Sequence, residues 1–235
     1  MAHTFVLVHG AWHGGWCWRR VADRLRRDGH VVFTPTLTGL GERAHLLAPG
    51  IDLATHVADV VNLLKWERLS DVVLCGHSYG GFVISGVAEV MPAQTRSIVF
   101  LDAFSSRERR HDPKTHRGGG SRRHSRGYAA RRSRRAPAAG GSVRGQCRRP
   151  RLGRQSLRAA ADRDFHVADR LSGARERIAR KTYIRAKGYH NPSFDRAFAT
   201  VQSDPSWHCH QLPCGHDVMI DLPDRLTELL LQAAA

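Results

Sequence analysis

Residues 71–81 read DVVLCGHSYGG, and the fold turns on this stretch. Asp71–Cys75 is a short, apolar, β-rich run, the signature of a buried strand. Gly76-His77-Ser78-Tyr79-Gly80-Gly81 follows at once, and Phe82–Val90 then reads as a helix stopped by Pro92. The spacing G-x-S-x-G alone occurs often by chance, and an incidental serine in a glycine-rich strand-to-helix turn is its bland reading. The flanking strand and helix make it specific. A turn this sharp exposes the hydroxyl of Ser78, and the glycines on either side permit close packing. The serine also falls at a helix N-terminus, where free backbone amides favour developing negative charge.

Working outward, the same alternation recurs. Thr4–Val8 (TFVLV) is a strand ending at His9-Gly10, and Trp16–Asp28 reads as a helix with apolar positions Trp16, Val21 and Leu25 and a stop at Gly29. Val31–Phe33 is the second strand. Asp52–Trp66 is a helix with Asp52 as its N-cap. Beyond the serine turn, Ser97–Phe104 (SIVFLDAF) is the fourth strand. Strands separated by helices predict α/β architecture: a mostly parallel open sheet with helices on both faces.

The pattern stops at Ser105. Between Ser106 and Arg163 there are 18 Arg and one Lys against three acidic residues, so the chain's whole formal charge of +16 sits in 58 of its 235 residues. This block has no Ile, Phe, Met or Trp and no helical or strand period. Such a composition cannot bury enough apolar surface to offset its ordering entropy, so disorder is expected. Its Arg, Gly, Ala, Ser, Pro and His are what GC-rich coding DNA yields when read out of frame. We therefore expect a compensated frameshift, entered near Ser105 and left between Arg163 and Phe165. Resequencing that returned one clean frame, supported by unshifted relatives, would sink this expectation. Order resumes with a helix over Val167–Ile178, a strand over Lys181–Ala186 (KTYIRA), a helix over Pro192–Val201, a strand over His208–Leu212 and an amphipathic helix over Leu222–Gln232. The expected organisation is residues 1–105 and 164–235 as two parts of one core around the block at 106–163.

A serine nucleophile needs a base, and in this architecture the histidine comes last. His216, in Gly215-His216-Asp217 after the final strand, holds that position among 15 histidines. His208-Cys209-His210 with Cys214 and His216 could instead suggest a zinc cluster, but those side chains alternate across a strand and no second paired group exists. An oxyanion needs two amides: one from Tyr79, after the nucleophile, and one from the turn His9-Gly10-Ala11-Trp12, where Ala11 is the candidate.

With these residues in place the chain resembles the α/β-hydrolase fold, and within it the hydroxynitrile lyase and methyl-ester esterase family in its bacterial esterase branch. FVLVHGAWHGGWCW, GHSYGG, VFLDAF and GHDVMIDLP carry the likeness over residues 4–104 and 178–233. The resemblance implies Ser78 as nucleophile, His216 as base, and the Ala11 and Tyr79 amides as oxyanion donors. Lyase members carry Thr after the first-strand His and Lys after the catalytic His; here Gly10 and Asp217 stand there, which favours hydrolysis. In much of the family the acid follows the strand matching Lys181–Ala186, yet here Lys187-Gly188-Tyr189-His190 offers no carboxylate. Asp102, at the end of the strand after the nucleophile, is the candidate acid, against the plain reading of a strand-end Asp capping a turn. Asp195, read as lying on a helix surface, and Asp217, beside the base itself, rank below it.

Composition bounds the rest. No apolar run approaches the roughly 20 residues of a membrane span, and Met1–Gly10 lacks a basic leader and a cleavage site. Five cysteines without a C-x-x-C argue against a disulfide framework and for a reducing cytoplasm. The expected partner is a small-molecule ester, with no cofactor and no metal. The family's cap occupies the position of the Arg-rich block and selects the substrate, so a small or aromatic ester is only the family default. The block itself predicts nonspecific retention on polyanions; with Tyr128 as its one aromatic, base stacking and specific nucleic-acid recognition are not expected. A catalytically impaired hydrolase remnant is the third reading. Oligomeric state is not legible.

Overall fold

The computed structural model describes residues 1–104 and 173–235. The Arg-rich block 106–163, the frameshift reading and the first part of the helix expected over Val167–Ile178 lie outside these residues. Where that helix was expected to end, Ala174–Arg177 forms a short 3₁₀ turn.

Six strands form one sheet: β1 (Thr4–Val8), β2 (Val31–Phe33), β3 (Val72–His77), β4 (Thr95–Leu101), β5 (Arg180–Ala186) and β6 (Trp207–Leu212). Their order is β2-β1-β3-β4-β5-β6 and every neighbouring pair is parallel. The helices are α1 (Arg19–Arg27), α2 (Leu53–Trp66), α3 (Gly80–Val90), α4 (Pro192–Gln202), α5 (Val218–Asp221) and α6 (Pro223–Ala234). Alternation along the central strands explains two cores. Val6, Leu74, Ile98 and Phe100 point to the face covered by α2, α3 and α4, while Phe5, Leu7, Val73, Cys75 and Val99 point to the face covered by α1 and α6.

Three local differences from the sequence reading have simple causes. The first helix splits into a 3₁₀ turn, Gly15–Trp18, and α1; the turn carries Trp18 inward and leaves Trp16, an expected core position, exposed. β4 stops at Leu101 rather than Phe104, because Asp102, whose amide still donates to the Ile184 carbonyl, turns to φ +42° and carries the chain off the sheet. The terminal helix is preceded by the separate single turn α5, with Pro223 opening α6. Asp52 caps α2 as expected: its carboxylate accepts from the Thr55 amide at 2.9 Å, and its own amide donates to the Thr55 hydroxyl. Among the described residues no helix is long and apolar enough to cross a membrane, and Cys17, Cys75, Cys209 and Cys214 are free thiols.

Candidate active site

Parallel sheets gather function at the carboxyl ends of their strands, and here β3, β4 and β6 each deliver one of the expected residues there. Ser78 follows β3 directly. Its φ of +53° is a left-handed conformation that a β-substituted residue holds only where packing enforces it. The enforcement is visible on both sides. The Ser78 amide donates to the Leu101 carbonyl at 3.2 Å, and its own carbonyl accepts from the Gly81 and Phe104 amides. A Cβ on Gly76 would come 2.5 Å from the Gly80 carbonyl oxygen, and one on Gly80 would come 2.8 Å from that of Val8, so only glycine fits at either end of the turn.

His216 stands on the loop between β6 and α5, 138 residues later in the chain. Its Nδ1 lies 2.6 Å from Oδ2 of Asp102, which is fully buried at the end of β4. A carboxylate only accepts, so Nδ1 carries the proton and Nε2 keeps a free lone pair, the tautomer a general base requires. The other oxygen of Asp102, Oδ1, accepts from Nη1 of Arg185 at 2.5 Å and from the Ala186 amide at 3.1 Å. Of the three carboxylates considered from sequence, Asp102 is the one in contact with His216. Asp195 sits in the first turn of α4, half-exposed, and binds Arg185; Asp217 faces His13.

Arg185, at the end of β5, was not singled out by sequence reasoning: the strand also carries Arg180, Lys181 and Thr182, so nothing local marks this Arg out. It is 2% exposed, and its donors go to Asp102, Asp195, and the carbonyls of Ala186 and Tyr189. Burial alone would lower its pKa, but the two carboxylates more than offset this and raise it. Two aromatic rings also missed from sequence, Tyr189 and Phe194, stack on the His216 imidazole at 4.4 and 5.4 Å.

The two oxyanion candidates flank this point. Tyr79 is the N-cap residue of α3, and its hydroxyl donates to Nδ1 of His56, whose Nε2 in turn donates to the Thr38 carbonyl. The Ala11 amide has no hydrogen-bond partner among the described residues. Its loop is pinned by His9, whose Nδ1 donates to the Gly10 carbonyl at 2.7 Å while Nε2 accepts from the Leu37 amide at 3.0 Å. Burial holds His9 down at about 4, so this imidazole is neutral and can do both.

Beneath His216, His77 is fully buried and donates from Nε2 to the His216 carbonyl at 3.0 Å. Burial first, and the facing His216 next, push its pKa well below the usual value. Asp217 bridges across to His13 at 3.2 Å, and that imidazole holds the Asp217 carboxyl below its ordinary range. Among the described residues, His13, His77 and Asp217 are the one trio of metal-type donors within reach of a common ion, rather than the run at His208 to His210. With Nε2 of His77 committed to a carbonyl, we read this trio as a brace between the Ala11 loop and the His216 loop.

Sheet order, strained serine turn and late histidine define an α/β hydrolase, and the chain belongs to that family: the model of the alpha/beta hydrolase family matches residues 5–229. A carbendazim hydrolyzing esterase from Nocardioides sp. (strain SG-4G) is 40% identical over 268 aligned positions, covering 97% of this chain and 98% of the relative. That alignment is longer than the chain itself, so the relative carries residues for which this chain has no counterpart. Methylesterase 10 of Arabidopsis thaliana is 36% identical over 103 residues, which is 43% of this chain and 38% of that protein. Among solved structures, an extracellular α/β-hydrolase from a Paenibacillus species superimposes with a TM-score of 0.63 at 21% identity, covering 98% of both chains. That likeness bears on the fold alone.

Proposed function

We propose that this chain is a serine hydrolase that cleaves carboxylic esters through an acyl-enzyme. The observation that carries the reading is the 2.6 Å contact between His216 Nδ1 and Asp102 Oδ2, made between distant parts of the chain beside a serine at φ +53°. In the first step Nε2 of His216 takes the Ser78 proton while Oγ attacks the ester carbonyl. Negative charge gathers on the carbonyl oxygen, and the amides of Ala11 and Tyr79 stabilise it. His216, now an imidazolium stabilised by Asp102, returns its proton to the departing alcohol. Water then enters, gives a proton to His216, attacks the acyl carbon and releases the acid with Ser78 restored.

The mechanism uses no cofactor and no metal. Carbendazim, on which the bacterial relative is named to act, is one trial substrate beside p-nitrophenyl esters and simple methyl esters. The testing experiment is labelling of the purified chain with a fluorophosphonate, next to Ser78→Ala. The probe needs an activated serine and an oxyanion site but little from a substrate-selecting cap. Labelling of the wild type alone is the expected result. Equal labelling of both, or none in soluble protein, overturns the reading in favour of a hydrolase remnant.

A further inference from the structure

Arg185 is the most densely bonded side chain near the site, and nothing in the mechanism above uses it. It is buried at the end of β5, next to the stretch Lys187–His190, which offers no carboxylate. Its guanidinium spans two carboxylates. Nη1 holds Oδ1 of Asp102 at 2.5 Å, and Nε and Nη2 hold Oδ1 of Asp195 at 3.1 and 2.9 Å. Nη2 also donates to the Tyr189 carbonyl at 2.7 Å, and the guanidinium carbon lies 5.9 Å over the Phe194 ring. Tyr189 and Phe194 are the two rings stacked on His216.

We propose that Arg185 is a positioning residue of the proton relay: by holding Oδ1 of Asp102 it aims Oδ2 at His216 Nδ1, and its charge offsets that of the carboxylate. The proposal rests on the serine-esterase reading for its kinetic consequence, not for its geometry. A carboxylate at the end of a strand, with its backbone at φ +42°, has freedom about its terminal bond unless one oxygen is tied down. A planar guanidinium fork does this with direction as well as charge, which an ammonium does less well. The electrostatic consequence has a sign. An imidazolium at His216 faces Asp102, but behind Asp102 stands Arg185, and behind Arg185 the exposed edge of Asp195. Removing the Arg charge leaves Asp102 unopposed and favours the imidazolium; removing the Asp195 charge does the reverse. Among the described residues, the other ionisable groups around His216 are Tyr189, stacked on its ring at 4.4 Å, His77 at its carbonyl, and Asp217 next in sequence with His13 beyond it; Cys214 precedes it on the loop, and His190 lies 3.9 Å from Asp195. The two substitutions leave His77, Asp217, His13 and Cys214 with their partners; removing the Asp195 charge also takes the carboxylate from the exposed His190, and removing Arg185 takes a donor from the Tyr189 carbonyl.

The experiment follows the His216 ring by NMR across pH, assigned by its loss in His216→Gln, in the full chain and in Arg185→Gln, Arg185→Lys and Asp195→Asn. p-Nitrophenyl acetate hydrolysis is measured in parallel. In Arg185→Gln the His216 midpoint should rise by about one pH unit, with kcat falling at least tenfold (about 1.4 kcal/mol) and KM nearly unchanged. Arg185→Lys should keep the midpoint and recover part of kcat, and Asp195→Asn should move the midpoint slightly downward. A purely structural ion pair would lower thermal stability in Arg185→Gln and leave the midpoint where it was, which overturns the proposal, as do equal-sign shifts in the two variants. Should Arg185→Gln fail to fold, Asp195→Asn decides: an unmoved or raised midpoint overturns. Absence of Ser78-dependent hydrolysis in the wild type refutes the esterase reading, while the ring titration still judges Arg185.

Discussion

At the residue scale, the places of Ser78 and His216 were legible because each sits where a motif and a chain position coincide, a strand-turn-helix for one and a late loop for the other, and their proposed roles rest on those places. For the acid, sequence ranked Asp102 above Asp195 and Asp217, but the contact that favours it joins residues 114 apart and no local pattern could supply it. Arg185 was invisible for a related reason: its four partners come together only when β4, β5 and α4 pack. The geometry yields a prediction for the acid. Asp102→Asn removes the acceptor that holds His216 in its basic tautomer and should lower kcat for p-nitrophenyl acetate by about 10³- to 10⁴-fold. Asp217→Asn, which only loosens the brace to His13, should cost far less. Stopped assays of both variants, checked for folding by circular dichroism, decide between them; equal losses would remove Asp102 from the relay.

At the element scale, strands and helices were legible wherever an apolar period ran for a full element: β1 and β2 match the reading to the residue, whereas the ends of β4 and the starts of α1 and α3 do not. The serine turn overrides propensity: α3 begins at Gly80 rather than at Phe82, with two glycines in its first turn, and Gly80 lies too close to the Val8 carbonyl for any side chain. α1 loses its first turn to a 3₁₀ segment that buries Cys17 and Trp18 together. The start of α2 was legible too, since a capping residue is a local signal. Asp52 and Thr55 satisfy each other's amides, and α2 carries the His56 that fixes Tyr79. Asp52→Ala should therefore cost about 1 kcal/mol, a fall in Tm of about 2–4 °C for a chain of this size, while fluorophosphonate labelling is retained. Differential scanning calorimetry measures it; an unchanged Tm would mean that packing of α2 against α3 alone holds its first turn.

At the scale of the whole molecule, the parallel sheet was legible because both of its faces are covered, so alternation along β1, β3 and β4 is apolar on either side. What composition could not convey is that buried polar groups brace the site from behind. His9 and His77, each fully buried, tie the Ala11 loop and the His216 loop to the sheet; the His9 bond from the Leu37 amide needs a neutral imidazole, and burial disfavours the charged form of both rings. That brace makes global stability depend on pH. An unfolded chain protonates His9 near 6.5, whereas the folded chain resists until about 4. Between these values the unfolded state binds more protons, so stability rises with pH through the window. It is complete above 6.5 and is lost progressively as pH falls toward 4. The His9 share of that loss is up to about 3 kcal/mol, and His77 acts in the same direction from the same side. Asp217, whose carboxyl is held low, loses its contribution only below the ordinary carboxylate range, outside this window. Urea midpoints measured from pH 7.5 down to 4.5 should therefore fall steeply in the wild type. His9→Gln, although less stable at pH 7.5, should fall less steeply, since one of the two titrating imidazoles is gone. Parallel slopes for the two proteins would show that His9 protonates as readily folded as unfolded, and the neutral-imidazole brace beneath the Ala11 loop would have to be abandoned.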